Sequence, residues 1–199
     1  LCMLIFLSVD LYSQDIEWAT RFGNKETDQG NKIAIDSYGN IYTTGTFSGI
    51  VDFDPGTNVF NLSSTGSNEN SFICKLDNMG NFIWAKNLGS NLQVYCRATT
   101  IDALGNVYIT GSFWGTVDFN PGDEYFNMTV QNNSSDTFIS KLDASGNFVW
   151  AKQFKGKNNN DAYAISVDTQ GNIYTTGVFG GTVDFDPGSN VFELISDQY

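Results

Sequence analysis

Asp36-Ser-Tyr-Gly-Asn-Ile-Tyr-Thr-Thr-Gly-Thr-Phe47 returns 66 residues later as Asp102-Ala-Leu-Gly-Asn-Val-Tyr-Ile-Thr-Gly-Ser-Phe113, and again as Asp168-Thr-Gln-Gly-Asn-Ile-Tyr-Thr-Thr-Gly-Val-Phe179. Trp18, Trp84 and Trp150 keep the same spacing, as do Pro55, Pro121 and Pro187. The register runs from Asp36–Lys86 onto Asp102–Lys152 without an insertion. A fixed period of this size means one supersecondary unit used repeatedly, each copy burying its apolar face on the next.

Each period holds the same parts. An alternating run (Lys32–Asp36, Thr99–Asp102, Ala164–Asp168) meets an Asp-x-x-Gly-Asn turn, then a β-branched, aromatic run (Ile41–Phe47, Val107–Phe113, Ile173–Phe179). Asp can bond the turn backbone and Gly can take a positive φ, so the pair reads as a hairpin. A second hairpin follows around Asp77–Asn81 and Asp143–Asn147. The long spacer between strands two and three, with Val51-Asp-Phe-Asp-Pro-Gly56 and Val59-Phe-Asn-Leu62, is expected to form a small hairpin of its own. Four antiparallel strands repeated radially make an all-β, partial β-propeller of four-stranded blades. A stacked solenoid ranks second, since its period is usually shorter. The expected parts are an outer strand over 15–20, blades over 31–88 and 97–154, and a partial blade over 162–194, all within a propeller fragment spanning 15–199. Two and a half blades cannot close a ring, so the sequence reads as truncated at both ends.

Composition narrows the function. Net charge is −12, which opposes nucleic acid and anionic membranes as partners. With no His, imidazole acid–base chemistry and His-ligated zinc are excluded within these 199 residues. Leu1-Cys-Met-Leu-Ile-Phe-Leu7, with Ser8–Gln14 after it, is too short to span a bilayer and reads as the remnant of a secretory signal peptide over 1–14. The mature chain is then expected to start near Asp15, secreted or at the cell surface, with no membrane insertion. Cys74 and Cys96 align with Ser140 and with Gly30 and Ala162, small residues, which favours two buried thiols over a disulfide.

The combined pattern resembles the bacterial seven-bladed β-propeller repeat (SBBP) family, a relative of the NHL-type propellers. Its carriers are Asp-x-x-Gly-Asn-Ile-Tyr-x-Thr-Gly-x-Phe, Thr-Val-Asp-Phe-Asp-Pro-Gly, Phe-Ile-x-Lys-Leu-Asp and Gly-Asn-Phe-x-Trp-Ala-Lys, spread over 15–199. The resemblance implies a secreted or surface protein, with a sorting domain for type IX secretion expected downstream. It supplies no catalytic residues.

The best candidate site is Asp52/Asp54, with Asp118/Asn120 and Asp184/Asp186 in the later copies. Residues i and i+2 of a strand share a face, so each pair can offer oxygens to Ca²⁺. The competing reading is a type II turn, with Pro at i+1, Gly at i+2 and Asp bonding its own backbone; Asn120 fits it equally well. The Trp at 18, 84 and 150 reads as blade-to-blade packing. Trp114 aligns with Ser48 and Gly180, so the repeat does not require it, and it is a candidate to stack on a sugar ring. Asn61, Asn127 and Asn132 open glycosylation sequons, which chance accounts for in so Asn-rich a chain. No nucleophile elbow or phosphate loop is present. The leading expectation is a non-catalytic binding or scaffold module whose partner is an unknown extracellular protein or glycan. The alternative is a hydrolase acting on extracellular polysaccharide through loop carboxylates.

Overall fold

The computed structural model describes residues 2–10, 13–64, 69–89, 94–131 and 133–196, those before Ile16 by backbone alone. Leu1, Leu11 and Tyr12 of the N-terminal segment and Asn132 of the third sequon lie outside the described residues. No helix among the described residues is long and apolar enough to cross a membrane. The described chain is strands and turns throughout.

β1 (Cys2–Asp10) pairs antiparallel with β2 (Ser13–Phe22), so the strand expected over 15–20 is longer and takes the apolar N-terminal segment as its neighbour. The first blade is the antiparallel sheet β3 (Asp28–Ile35), β4 (Ile41–Phe47), β7 (Asn70–Leu76) and β8 (Phe82–Leu88) in that order. Its inserted hairpin is β5 (Ile50–Asp52) with β6 (Asn61–Ser63). The second blade repeats this as β9 (Val94–Ile101), β10 (Val107–Phe113), β13 (Asp136–Leu142) and β14 (Phe148–Gly156), with hairpin β11 (Thr116–Asp118) and β12 (Asn127–Thr129). β15 (Asn160–Val167) and β16 (Ile173–Phe179) begin a third, with hairpin β17 (Thr182–Asp184) and β18 (Glu193–Ile195). This is a partial β-propeller.

The turns are built as their residues dictate. In the first, the Asp36 Oδ1 accepts the N–H groups of Tyr38 and Asn40, both at 2.9 Å, and Oδ2 accepts the Asn40 side-chain amide at 2.8 Å. Gly39 donates to the Asp36 carbonyl and takes φ of 81°, the left-handed conformation only Gly adopts cheaply. Asp77, Asp102, Asp143 and Asp168 hold their turns in the same way.

Packing between blades also repeats. Phe47, Phe53 and Phe72 form one buried cluster; Phe113, Phe119 and Phe138 form its copy. Phe53 and Phe119 come from the inserted hairpins, so these hairpins plug the core. Phe22, at the end of β2, lies 5.3 Å from Phe53, and Phe154 lies 5.8 Å from Phe185 at nearly the same tilt. β17 goes further and pairs with the end of β14, extending the second blade's sheet to six strands. At the opposite end, Trp84 Nε1 donates to the Ala144 carbonyl of the next blade at 3.3 Å, and Trp18 to that of Asn78 at 3.4 Å. Trp18 and Trp84 thus pack blade to blade, while Trp150 lies edge-on to Tyr108 of its own blade. Cys74 and Cys96 are buried thiols, and burial pushes the Cys96 pKa up to about 12.

Candidate functional site

The first strands of successive blades face one another: Asn31 Nδ2 donates to the Cys96 carbonyl at 3.3 Å, and Arg97 meets Asp161. Each of these inner strands carries a β-bulge. The extra residues are Asn31, Arg97 and Tyr163. A glycine opposes each bulge because the inner strand's carbonyl crosses directly over it. A Cβ on Gly45, Gly111 or Gly177 would lie 1.9, 1.8 or 2.0 Å from the carbonyl oxygen of Gln29, Tyr95 or Asp161. Bulges re-aim side chains and gather near functional sites.

Here the three copies agree in backbone and disagree in side chain. The bulge position holds Asn31, Arg97 and Tyr163; two residues earlier stand Gln29, Tyr95 and Asp161. The fold needs the bulge, shown by the glycines, but not a particular residue on it. In the second blade these departures touch. Trp114 sits edge-on to Tyr95, ring centroids 5.6 Å apart at 87°. The Arg97 guanidinium lies 5.3 Å over the Tyr95 ring and 3.0 Å from Asp161 across the blade boundary. The Arg97 side chain is 44% exposed, so the ion pair contributes under about 1 kcal/mol and holds the side chains in place more than it stabilises the fold. All lie at the end where strands four and one are linked, opposite the Asp-x-x-Gly-Asn turns. This linker mouth presents an aromatic edge, a half-buried indole and a guanidinium.

The other expected site residues are tied into their hairpins. Asp52 Oδ1 accepts the N–H groups of Asp54 and Phe60 at 3.0 and 2.8 Å, and Asp54 Oδ1 accepts that of Gly56 at 2.8 Å. Asp118 with Asn120, and Asp184 with Asp186, repeat these bonds within 0.1 Å. Gly56, Gly122 and Gly188 do not have positive φ, so the turn is not type II. The Asp or Asn side chain closes it instead, and Asn120 serves as well as Asp54 because only a carbonyl-type oxygen is used. Among the described residues no three acidic or thiol side chains converge as a metal cluster would.

A model of the family described as "Beta-propeller repeat" matches residues 17–46 and 149–178. Both windows run from an outer-strand tryptophan, through the linker and the bulge, to the second strand, and they lie in one register two periods apart. The chain carries propeller repeats. An uncharacterized WD repeat-containing protein of Acanthamoeba polyphaga mimivirus is 28% identical over 189 residues, covering 83% of this chain. The chain spans 14% of that relative's length. As propeller repeats, the blades are a repeat scaffold, with structure carried by the periodic residues.

Sequence reasoning singled out Trp114 because it broke the repeat. The same signal marked Tyr95, Arg97 and Asp161, yet they lie inside strands, where a departure reads as tolerated surface variation. Only the bulge register shows that they share a mouth with Trp114.

Proposed function

We propose that this chain belongs to an exported protein, secreted or held at the cell surface, that acts without catalysis and binds an extracellular glycan or protein at its linker mouth. One observation carries the reading: the residues that break the 66-residue repeat in the second blade are the ones in contact there. Residues serving the fold recur at each period. Tyr95, Arg97 and Trp114 do not recur, so the fold leaves them free for another task. Aromatic rings beside a few fixed polar groups are the usual make-up of a ligand site. Export is supported by the apolar run Leu1–Leu7, which has the length of a leader's apolar region.

The test is a panel of glycans presented to the intact protein, with binding and turnover followed together. Retention of a subset, lost in Trp114→Ala, is expected, with no released sugar. Turnover would make the protein a hydrolase. N-terminal sequencing of the protein from its source is expected to begin near Asp15; a chain retaining residues 1–14 would refute export through this segment.

A further inference from the structure

The N-terminal hairpin repeats the pairing of a blade's last two strands. In the first blade β7 lies on β8 with Ser71 opposite Leu88 and Leu76 opposite Phe82, and the register slips between Lys75 and Leu76. In the second blade β13 lies on β14 with Thr137 opposite Phe154 and Leu142 opposite Phe148, and the slip falls between Lys141 and Leu142. β1 lies on β2 with Cys2 opposite Phe22 and Leu7 opposite Ile16, and here the slip falls between Phe6 and Leu7. Phe22 and Ile16 stand 66 residues before Leu88 and Phe82. β1 therefore takes the third-strand place of a blade whose fourth strand is β2, in the same register and with the same bulge. β2 is held there by other contacts. Phe22 is buried against Phe53 and Phe72, ring centroids 5.3 and 5.7 Å away, and Trp18 Nε1 donates to the Asn78 carbonyl as Trp84 does to Ala144. Each β2 residue opposite Cys2–Leu7 lies after Asp15, so this edge outlasts removal of residues 1–14. One position differs. Beside the bulge the true third strands carry Lys75 and Lys141, whose ammonium groups lie 4.8 and 4.9 Å over the Tyr42 and Tyr108 rings of the second strands. β1 has Phe6 at that place. It has the register of a third strand without the residue that ties one to a second strand.

We propose that residues 2–10 are a placeholder: they keep the third-strand edge of β2 closed, and removal of the leader opens it for a third strand supplied by a further copy of the repeat, of pattern Phe-Ile-x-Lys-Leu-Asp. An open edge offers a row of unpaired N–H and C=O groups. An extended segment adds to such an edge by main-chain hydrogen bonds, with alternate side chains setting the fit. The occupant is identified by β7 and β13, which fill the equivalent edges of β8 and β14 in this register. While β1 is paired, the incoming strand has no free edge to join, so completion of this blade waits on processing. The proposal rests on the export reading and adds what the leader does before it leaves.

The test is a fluorescent peptide of the sequence Asp136–Asp143, titrated by anisotropy into the 199-residue protein unprocessed, cleaved before Asp15, and unprocessed with Leu4→Pro and Phe6→Pro, since proline cannot donate to a ladder. The cleaved form and the proline variant are expected to bind the peptide about tenfold more tightly than the unprocessed form, and the peptide with Ile139→Pro to bind none of them. Equal affinity for all forms overturns the inference, as does a cleaved form that stays folded by its tryptophan fluorescence and ignores the peptide. Where cleavage unfolds the chain, the proline variant decides in the same way. A cleaved form that self-associates in sedimentation instead of taking the peptide makes the occupant a second copy and overturns the one assigned. If the protein at its source retains residues 1–14 while the proline variant binds, the placeholder stands and the export reading falls. If residues 1–14 are removed at the source and neither opened form binds, export stands and the placeholder falls.

Discussion

Gly111→Ala puts the inner-strand bulge under direct test. A Cβ at this position would sit 1.8 Å from the Tyr95 carbonyl oxygen, 2.9 Å from its carbon and 3.1 Å from the Arg97 nitrogen. All three are backbone atoms, so no side chain can swing aside. The two strands must separate or the bulge must flatten, breaking ladder bonds around the pairs Gly111–Cys96 and Ser112–Tyr95. Overpacking of this kind costs about 1–3 kcal/mol before broken bonds are counted. Two lost bonds add about 1 kcal/mol each, giving about 3–5 kcal/mol. The control is Gly171→Ala. Gly171 has φ of 86° with nothing within 4 Å of a Cβ, so only left-handed strain of about 1–2 kcal/mol applies. Urea denaturation of the intact protein and the two variants, followed by tryptophan fluorescence, gives the comparison. Gly111→Ala is expected to lose more stability than Gly171→Ala, by about 1–4 kcal/mol. A Gly111→Ala variant equal to or milder than Gly171→Ala would mean that close carbonyl approach does not define the bulge.

Four further outcomes follow from the same geometry. Trp84→Phe keeps a ring between the blades but loses the 3.3 Å bond to Ala144, and is expected to cost about 1 kcal/mol, against about 3–5 for Trp84→Ala, by denaturation midpoint. Asp54→Asn is expected to be neutral in the same assay, since Asn120 closes the equivalent turn, whereas Asp52→Ala leaves two amides unbonded and should cost about 1–2 kcal/mol. With those oxygens engaged, the melting temperature is expected to be equal in millimolar Ca²⁺ and in chelator; a rise in Ca²⁺ that Asp52→Asn with Asp184→Asn removes would give these residues a ligand role. For acid, burial alone would raise the Asp102 pKa, but hydrogen bonds from Asn106, Tyr108 and the Leu104 N–H outweigh it and hold it below 3.8. The stability it provides is therefore present above about pH 4 and lost as pH falls through the lowered value; urea midpoints should drop there, and less steeply in Asp102→Asn.

Local chemistry was legible in the sequence; tertiary register was not. Asp36 and Gly39 specify their turn within five residues, so the hairpins and their Asp hydrogen bonds could be read directly. The start of each inner strand could not. Strand β9 begins at Val94, three residues before the expected 97, and β3 at Asp28 instead of 31, because the bulge at Arg97 or Asn31 interrupts the alternation that marks a strand. The type II assignment at Pro55-Gly56 failed for a related reason: the Asp54 side chain substitutes for the backbone, and Gly56 needs no positive φ. Pairing of β17 with β14 joins residues 155–156 to 183–184, a contact no local pattern announces. The mouth is partly legible. Trp114 stands out by breaking the repeat, but its contact with Tyr95 depends on which strand ends lie side by side.

The most direct measurement replaces the second blade's departing residues with those the first blade carries at the same positions. Tyr95→Gln, Arg97→Asn and Trp114→Ser are combined in the intact protein, and both melting temperature and retention on the glycan panel are measured. Every introduced residue already occupies its equivalent backbone position at Gln29, Asn31 and Ser48. The variant is expected to fold, to melt within a few degrees of the parent, and to bind no longer. Undiminished binding by the folded variant would contradict this, and so would a variant that fails to fold, since these residues would then serve the blade itself.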